Sequence, residues 1–219
     1  MATPVFTDAE RERLRVAVAE AETRTAGEIV PYVVARSGRY EVAVWRAASL
    51  FALLAAGIAL AVAQAYDGWG LGWLYTGWAT AGVAIAGGIL GALLTVFDPV
   101  RRAFAGVARM AQRVHRRATL AFVEEEVFDT RDRTGILLFV SLFEHRIEVL
   151  GDAGINAKVQ QEEWFEVVDL IRDGILAGDL ASGLEAAIER CGDLLHRRGV
   201  ALREDDTDEL SDEVRVRDQ

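Results

Sequence analysis

Between Arg46 and Arg101 the chain carries no lysine or arginine, and its only charges are Asp67 and Asp98. Ala47–Ala65, "AASLFALLAAGIALAVAQA", has the length needed to cross a hydrocarbon layer of roughly 30 Å. Leu71–Phe97, "LGWLYTGWATAGVAIAGGILGALLTVF", is longer and equally free of charge. A buried pair of helices in a water-soluble protein is the alternative, but two uncharged runs of this length favour a transmembrane helical hairpin. The turn between them holds Tyr66, Trp69, Trp73, Tyr75 and Trp78, clustered as interfacial aromatics are.

The flanks set an orientation. Arg36, Arg39 and Arg46 precede the first span, Arg101, Arg102, Arg109, Arg113, Arg116 and Arg117 follow the second, and the turn has no positive residue. The positive-inside rule puts both termini in the cytoplasm and the turn outside, as in a two-pass protein of a bacterial inner membrane. Arg101 and Arg102 stand where the chain leaves the bilayer and are expected at its interface. Small residues, Gly57 and Ala61 in one span and Gly87 and Gly91 in the other, allow close helix packing. Neither span carries an ionisable residue in its interior, which argues against a transporter component.

Composition agrees with a segregated chain. Hydrophobic residues make up 52% and charged residues still reach 26%, with a net charge of −10. That acidic balance excludes a general nucleic-acid binder. A single cysteine, Cys191, excludes an internal disulfide. Residues 1–25 have no apolar h-region, so no secretory signal is expected there.

Outside the spans, Thr7–Glu10 has the form of a capping box, and Leu14, Ala17, Val18 and Ala21 mark one helical face that ends near Gly27. Glu28–Ala35, "EIVPYVVA", suits a strand, placed at an edge or given a bulge by Pro31. Val100, Phe104, Val107, Ala111, Val114, Ala118 and Phe122 predict an amphipathic helix of about 25 residues, continuous with the second span or hinged at Pro99. Its arginines suit anionic lipid headgroups, or form the solvated face of a helix packed on the domain.

"RTGILLFVSLFEHRIEVLGD" (Arg133–Asp152) is too short in its apolar run, Ile136–Phe143, to be a third span. It predicts a hairpin, the first strand buried on both faces and the second more exposed. Trp164, Val168, Ile171 and Ile175 define a further helix. Asp179 is a candidate N-cap for another, which carries Leu184, Ala187, Ile188, Cys191 and Leu195, and Cys191 reads as a buried structural thiol. Neither the strand 28–35 nor the hairpin can bury itself alone. The expected fold is therefore an α/β domain, a mixed sheet flanked by helices, with the transmembrane helical hairpin inserted. The expected parts are residues 1–40, the hairpin 41–99, the remainder of the domain 100–202, and an acidic, mobile tail 203–219.

The segments "TAGEIVPYVV" (Thr25–Val34), "RTGILLFVSLFEHRIEVLGDAGI" (Arg133–Ile155), "AGDLASGLEAAI" (Ala177–Ile188) and "DELSDEV" (Asp208–Val214) resemble the TPM domain family, the TLP18.3/Psb32-like group, in its bacterial branch of small membrane proteins. The resemblance implies an α/β/α sandwich. Members are described as weak acid phosphatases and as calcium binders, and many face an extracytoplasmic compartment, unlike the orientation expected from the flanks here.

Asp152, in the loop Gly151–Gly154 at a strand end, is the candidate metal ligand, and calcium is the ion that suits an oxygen-rich loop. Glu126 and Asp129, within an acidic group that also holds Glu124, Glu125 and Asp132, are candidates to complete such a site. Glu144 and His145 in the hairpin turn could exchange protons, though a polar turn is the plainer reading. No phosphate-binding, dinucleotide or nucleophile-elbow motif occurs. The sequence thus points to a non-enzymatic, membrane-anchored interaction or assembly module whose partners are the lipid bilayer and other membrane proteins, with calcium as its one candidate cofactor and homo-oligomerisation open. A metal-dependent acid phosphatase is the alternative.

Overall fold

The computed structural model describes residues 5–65, 76–202 and 209–218. The chain divides into two compact units, residues 38–111 in one and residues 1–37 with 112–219 in the other.

The discontinuous unit begins with helix α1 (Asp8–Glu22). The Thr7 hydroxyl accepts from the Glu10 N–H at 3.3 Å, and the Glu10 carboxylate accepts from the Thr7 N–H at 2.7 Å. The expected capping box is therefore formed, and Leu14, Ala17, Val18 and Ala21 are the buried face. Strand β1 (Glu28–Val34) follows. The unit resumes within a helix, runs through β2 (Gly135–Ser141) and β3 (Arg146–Gly151), and places a one-turn helix at Ala153–Asn156 and a 3₁₀ turn at Gln161–Trp164. Two long helices, Phe165–Ala177 and Leu180–Arg197, precede a last strand, β4 (Arg215–Arg217).

The four strands form one mixed sheet in the order β3-β2-β1-β4. β1 is parallel to β2 and to β4, while β2 and β3 are antiparallel. Every residue of β1 and β2 is buried, as strands covered on both faces must be, whereas β3 is half-buried throughout. One face carries Ile29, Val33, Ile136, Leu138 and Val140 against Leu14 and Val18 and against Ile171, Leu184, Ile188 and Leu195 of the last two helices. The other carries Val30, Tyr32, Leu137 and Phe139 against Val114, Ala118 and Ala121. This is a mixed sheet flanked by helices, the expected fold class.

Pro31 stands inside the sheet, not at an edge, which corrects the expectation. Glu28 donates its N–H to Thr134 on the β2 side, and Ala35 donates to Arg217 on the β4 side. Backbone groups alternate between the two sides, so Pro31 faces the β4 side, as Ile29 and Ala35 do. The ladder with β4 begins only at Tyr32. No ladder bond is lost at Pro31, because the neighbouring strand is too short to reach it.

The second unit contains α2 (Glu41–Ala65), α3 (Gly77–Leu94) and α4 (Asp98–Ala105), followed by the start of α5 (Val107–Glu124). The helices Phe165–Ala177 and Leu180–Arg197 are α7 and α8, the turn at Ala153–Asn156 being α6. α2 and α3 are long and apolar enough to cross a membrane, and only 17% and 6% of their apolar windows are buried. They pack on each other through Gly87 and Gly91: a Cβ on Gly87 would stand 2.5 Å from the Ala55 Cβ, and one on Gly91 would stand 2.6 Å from the Ala47 carbonyl oxygen. Gly57 has open space around it and takes no part in that contact.

The amphipathic helix expected over Val100–Phe122 is two helices. Gly106, at φ 88, breaks it, while Pro99 starts α4 after α3 has ended. Val114 and Ala118 of the expected apolar face are buried and Phe122 packs against them, whereas Val107, beside the break, is 68% exposed and Met110 and Ala121 join the buried stripe. In α7 the buried residues are Val167, Ile171 and Gly174, so Val168 lies off the buried stripe. The chain's end also differs from the expected mobile tail, since Arg215–Arg217 add a strand to β1 and Val214 is buried. Among the expected interfacial aromatics, Tyr66, Trp69, Trp73 and Tyr75 lie outside the described residues, and Trp78 opens α3 with 91% of its surface exposed.

Candidate functional site

Asp152 is buried at the end of β3, where its backbone N–H donates to Gly135 and its carboxylate caps α6 through the Ala153 N–H at 2.7 Å. Arg133 closes over it: Nη2 donates to Oδ1 at 3.0 Å, and Nε lies 2.6 Å from Oδ2. The glycines of this loop are there for close approach. A Cβ on Gly154 would meet the Asp132 carbonyl oxygen at 2.3 Å, and the Gly154 N–H donates to the Arg133 carbonyl. The carboxylate is thus both charge-paired and used as a helix cap.

The other acidic candidates are dispersed. Glu126, at φ 53, and Asp129 are exposed and share one turn, the Asp129 N–H donating to the Glu126 carbonyl at 2.7 Å. Glu124 pairs with Arg117 at 2.8 Å. Glu125 receives Arg215 at 3.1 Å and Arg217 at 3.3 Å. Among the described residues no group of three or more His, Cys, Asp and Glu side chains is placed to hold a metal ion. Calcium takes six to eight oxygen ligands, and Asp152, already neutralised by Arg133, does not fit that donor set.

Glu144 is buried, not an exposed turn residue, and its carboxylate accepts the Ser37 N–H at 3.0 Å and the Ser141 hydroxyl. The Ser37 and Ser141 hydroxyls lie 2.6 Å apart. This network sits at the carboxyl ends of β1 and β2 and ties the chain leaving β1 to the hairpin turn. His145 is exposed and occupies a left-handed position, φ 51, at the last residue of that turn. Cys191 is buried, and burial pushes its thiol pKa up, away from nucleophilic use. At the start of the other unit's basic flank, Arg101 donates to the Thr95 carbonyl at 2.8 Å, closing the end of α3, and Arg102 follows it on α4.

Two features escaped the sequence reading. Tyr32 stacks on Phe139, with ring centroids 5.6 Å apart, and its hydroxyl accepts from Arg117 at 2.8 Å. Its neighbours Arg217, Arg215 and Glu125 fasten β4 to the sheet, and the Tyr32 hydroxyl and Glu125 raise the pKa of Arg217. The second is a groove of about 420 Å3 along β3. It is lined by His115 of α5, by Gln161 and Trp164 of the 3₁₀ turn with Phe165 and Val168 of α7, and between them by Ile147–Gly151 of β3, whose Glu148 side chain turns toward His115. The His115 ring and the Glu148 carboxylate meet at 2.9 Å. The alternation in "RIEVL" announced the strand, but only the tertiary packing of α5 and α7 builds walls beside it.

No family model matches the chain, and no curated protein matches it. Among solved structures, the NMR structure of the BA42 protein from the psychrophilic bacterium Bizionia argentinensis is similar. It aligns over 99% of this chain and 98% of that one, with a TM-score of 0.60 and 18% identity. At that identity the likeness is one of fold.

Proposed function

We propose that this protein is a membrane-anchored, TPM-like module that binds or assembles other proteins at the cytoplasmic face of a bacterial membrane, without catalysis. The state of Asp152 carries this reading. The buried acid of the Gly151–Gly154 loop is ion-paired with Arg133 and caps α6, so its carboxylate serves the fold and is shielded by the guanidinium. The two exposed apolar helices support the anchoring, and the arginines on either side of them support the orientation. The TPM resemblance rests on the matched segments, and the BA42 likeness is compatible with it at the level of fold.

A metal-dependent phosphatase is the second reading, favoured by the family resemblance alone. The purified full chain is assayed for phosphate-ester turnover with and without calcium, beside Asp152→Ala. No turnover in any arm is expected, and thermal unfolding of the wild type is expected to be indifferent to calcium. Turnover that disappears in Asp152→Ala would sink the non-catalytic reading.

A further inference from the structure

β3 is one of the two outer strands of the sheet, and its hydrogen-bond phase is fixed by one contact. Asp152 donates to the Gly135 carbonyl, and the register runs Gly151 opposite Ile136 through Arg146 opposite Ser141. In an antiparallel pair the bonded positions alternate. Residues 152, 150, 148 and 146 therefore bond to β2, and Ile147, Val149 and Gly151 turn their N–H and C=O groups outward. The Gly151 carbonyl accepts from the Asn156 side chain at 2.5 Å. The outward groups of Ile147 and Val149 have no backbone partner among the described residues.

An open edge of this kind is a template for another strand, and here it lies on the floor of the groove between α5 and α7. We propose that this groove is a docking slot for an extended peptide segment of a partner protein, added to β3 as a fifth strand and carrying alternating apolar and basic side chains. The alternation follows from the walls. Side chains pointing the way of Ile147 and Val149 meet Trp164, Phe165 and Val168, and Phe165 is 61% exposed. Side chains pointing the other way meet Glu148 and His115. The chain's net charge of −10 favours a basic partner over an acidic one. A second copy is a poor occupant, because its own β3 lies at the bottom of an identical concave groove and cannot reach this one.

The inference deepens the interaction-module reading and rests on it, yet the two fail separately. Ester turnover would overturn that reading and leave peptide binding untouched, while absent peptide binding would leave the anchored, non-catalytic module as it stands. The test uses the full chain in detergent and a fluorescein-labelled octapeptide of alternating valine and lysine, followed by anisotropy. The controls are the valine–glutamate counterpart and the valine–lysine peptide N-methylated at alternate residues, which cannot complete a ladder. Saturable binding of the first peptide is expected, weakened about tenfold or more by N-methylation, by glutamate, by Glu148→Lys and by Phe165→Asp. The methylated peptide tests the wild type directly, so the outcome does not depend on either variant folding. Equal affinity for methylated and unmethylated peptides overturns the proposal, as does no binding of the valine–lysine peptide. Self-association of the chain abolished by Glu148→Lys would also overturn it, by assigning the groove to a second copy.

Discussion

At Gly135, the first residue of β2, a Cβ would stand 1.8 Å from the Val127 carbonyl oxygen, backbone that has nowhere to retreat. Gly174 and Gly183 meet in the same way where α7 crosses α8, a Cβ on Gly174 lying 2.6 Å from the Gly183 Cα. Gly135, Gly154, Gly174 and Gly183 are thus positions of close approach, kept for packing. Gly135→Ala is expected to destabilise the domain by about 3 kcal/mol, the upper range for overpacking, read from the urea midpoint. Charged residues act at the helix ends. The Thr7 N–H and hydroxyl hold Glu10 below the ordinary carboxylate range. Gln160 and then Arg198 do so for Glu163, and the Ser182 N–H and hydroxyl for Asp179. A carboxyl with a lower pKa folded than unfolded stabilises the fold above the unfolded value and loses that contribution as pH falls through the folded one. Unfolding midpoints are therefore expected to drop as pH falls below about 4. The drop should be shallower in a Glu10→Gln, Glu163→Gln, Asp179→Asn variant.

β4 shows how much an element of three residues can hold. Glu28 is buried beneath the C-terminal segment and accepts from the N–H groups of Glu209 and Leu210, at 3.3 and 3.4 Å. Arg215 and Arg217 clasp Glu125, and Val214 enters the core. Ending the chain at Leu202 would strip two donors from a buried carboxylate and uncover the β1 edge. It is expected to cost about 3 kcal/mol in thermal or urea unfolding, the sum of one unsatisfied buried acceptor and one lost valine. The charge run around residues 203–213 looks like solvated coil by composition, because the partner that orders residues 209–217, strand β1, lies far away in the chain. Helix α5 carries the complementary lesson. Its apolar periodicity was legible and held at Val114, Ala118 and Phe122, but beside the break at Gly106 Val107 went to the surface while Met110 went inside.

For the whole molecule, the arrangement of arginines about two uncharged helices predicts a sided anchor. A reporter fused after Gln219 that is active only in the cytoplasm is expected to be active, and one active only in the periplasm silent; the reverse result would overturn the topology. Much of the fold was written locally. The uncharged runs announced the two helices that are long and apolar enough to cross a membrane. The buried run Ile136–Phe143 and the alternating "RIEVL" named a hairpin, and the capping residues Thr7 and Asp179 started the helices that the structure contains. The candidate site was less legible. Asp152 was visible as an acid in a glycine loop, but whether its carboxylate was available depended on Arg133, which only the fold brings to it. By itself the sequence determined what depends on neighbours a few residues apart: the two apolar helices, helix faces, caps and the hairpin. The tertiary structure alone decided the central place of β1, the fourth strand, the closing of Asp152 and the walls beside β3. Each of these joins segments whose pairing free energy depends on distance in space and leaves no period along the chain.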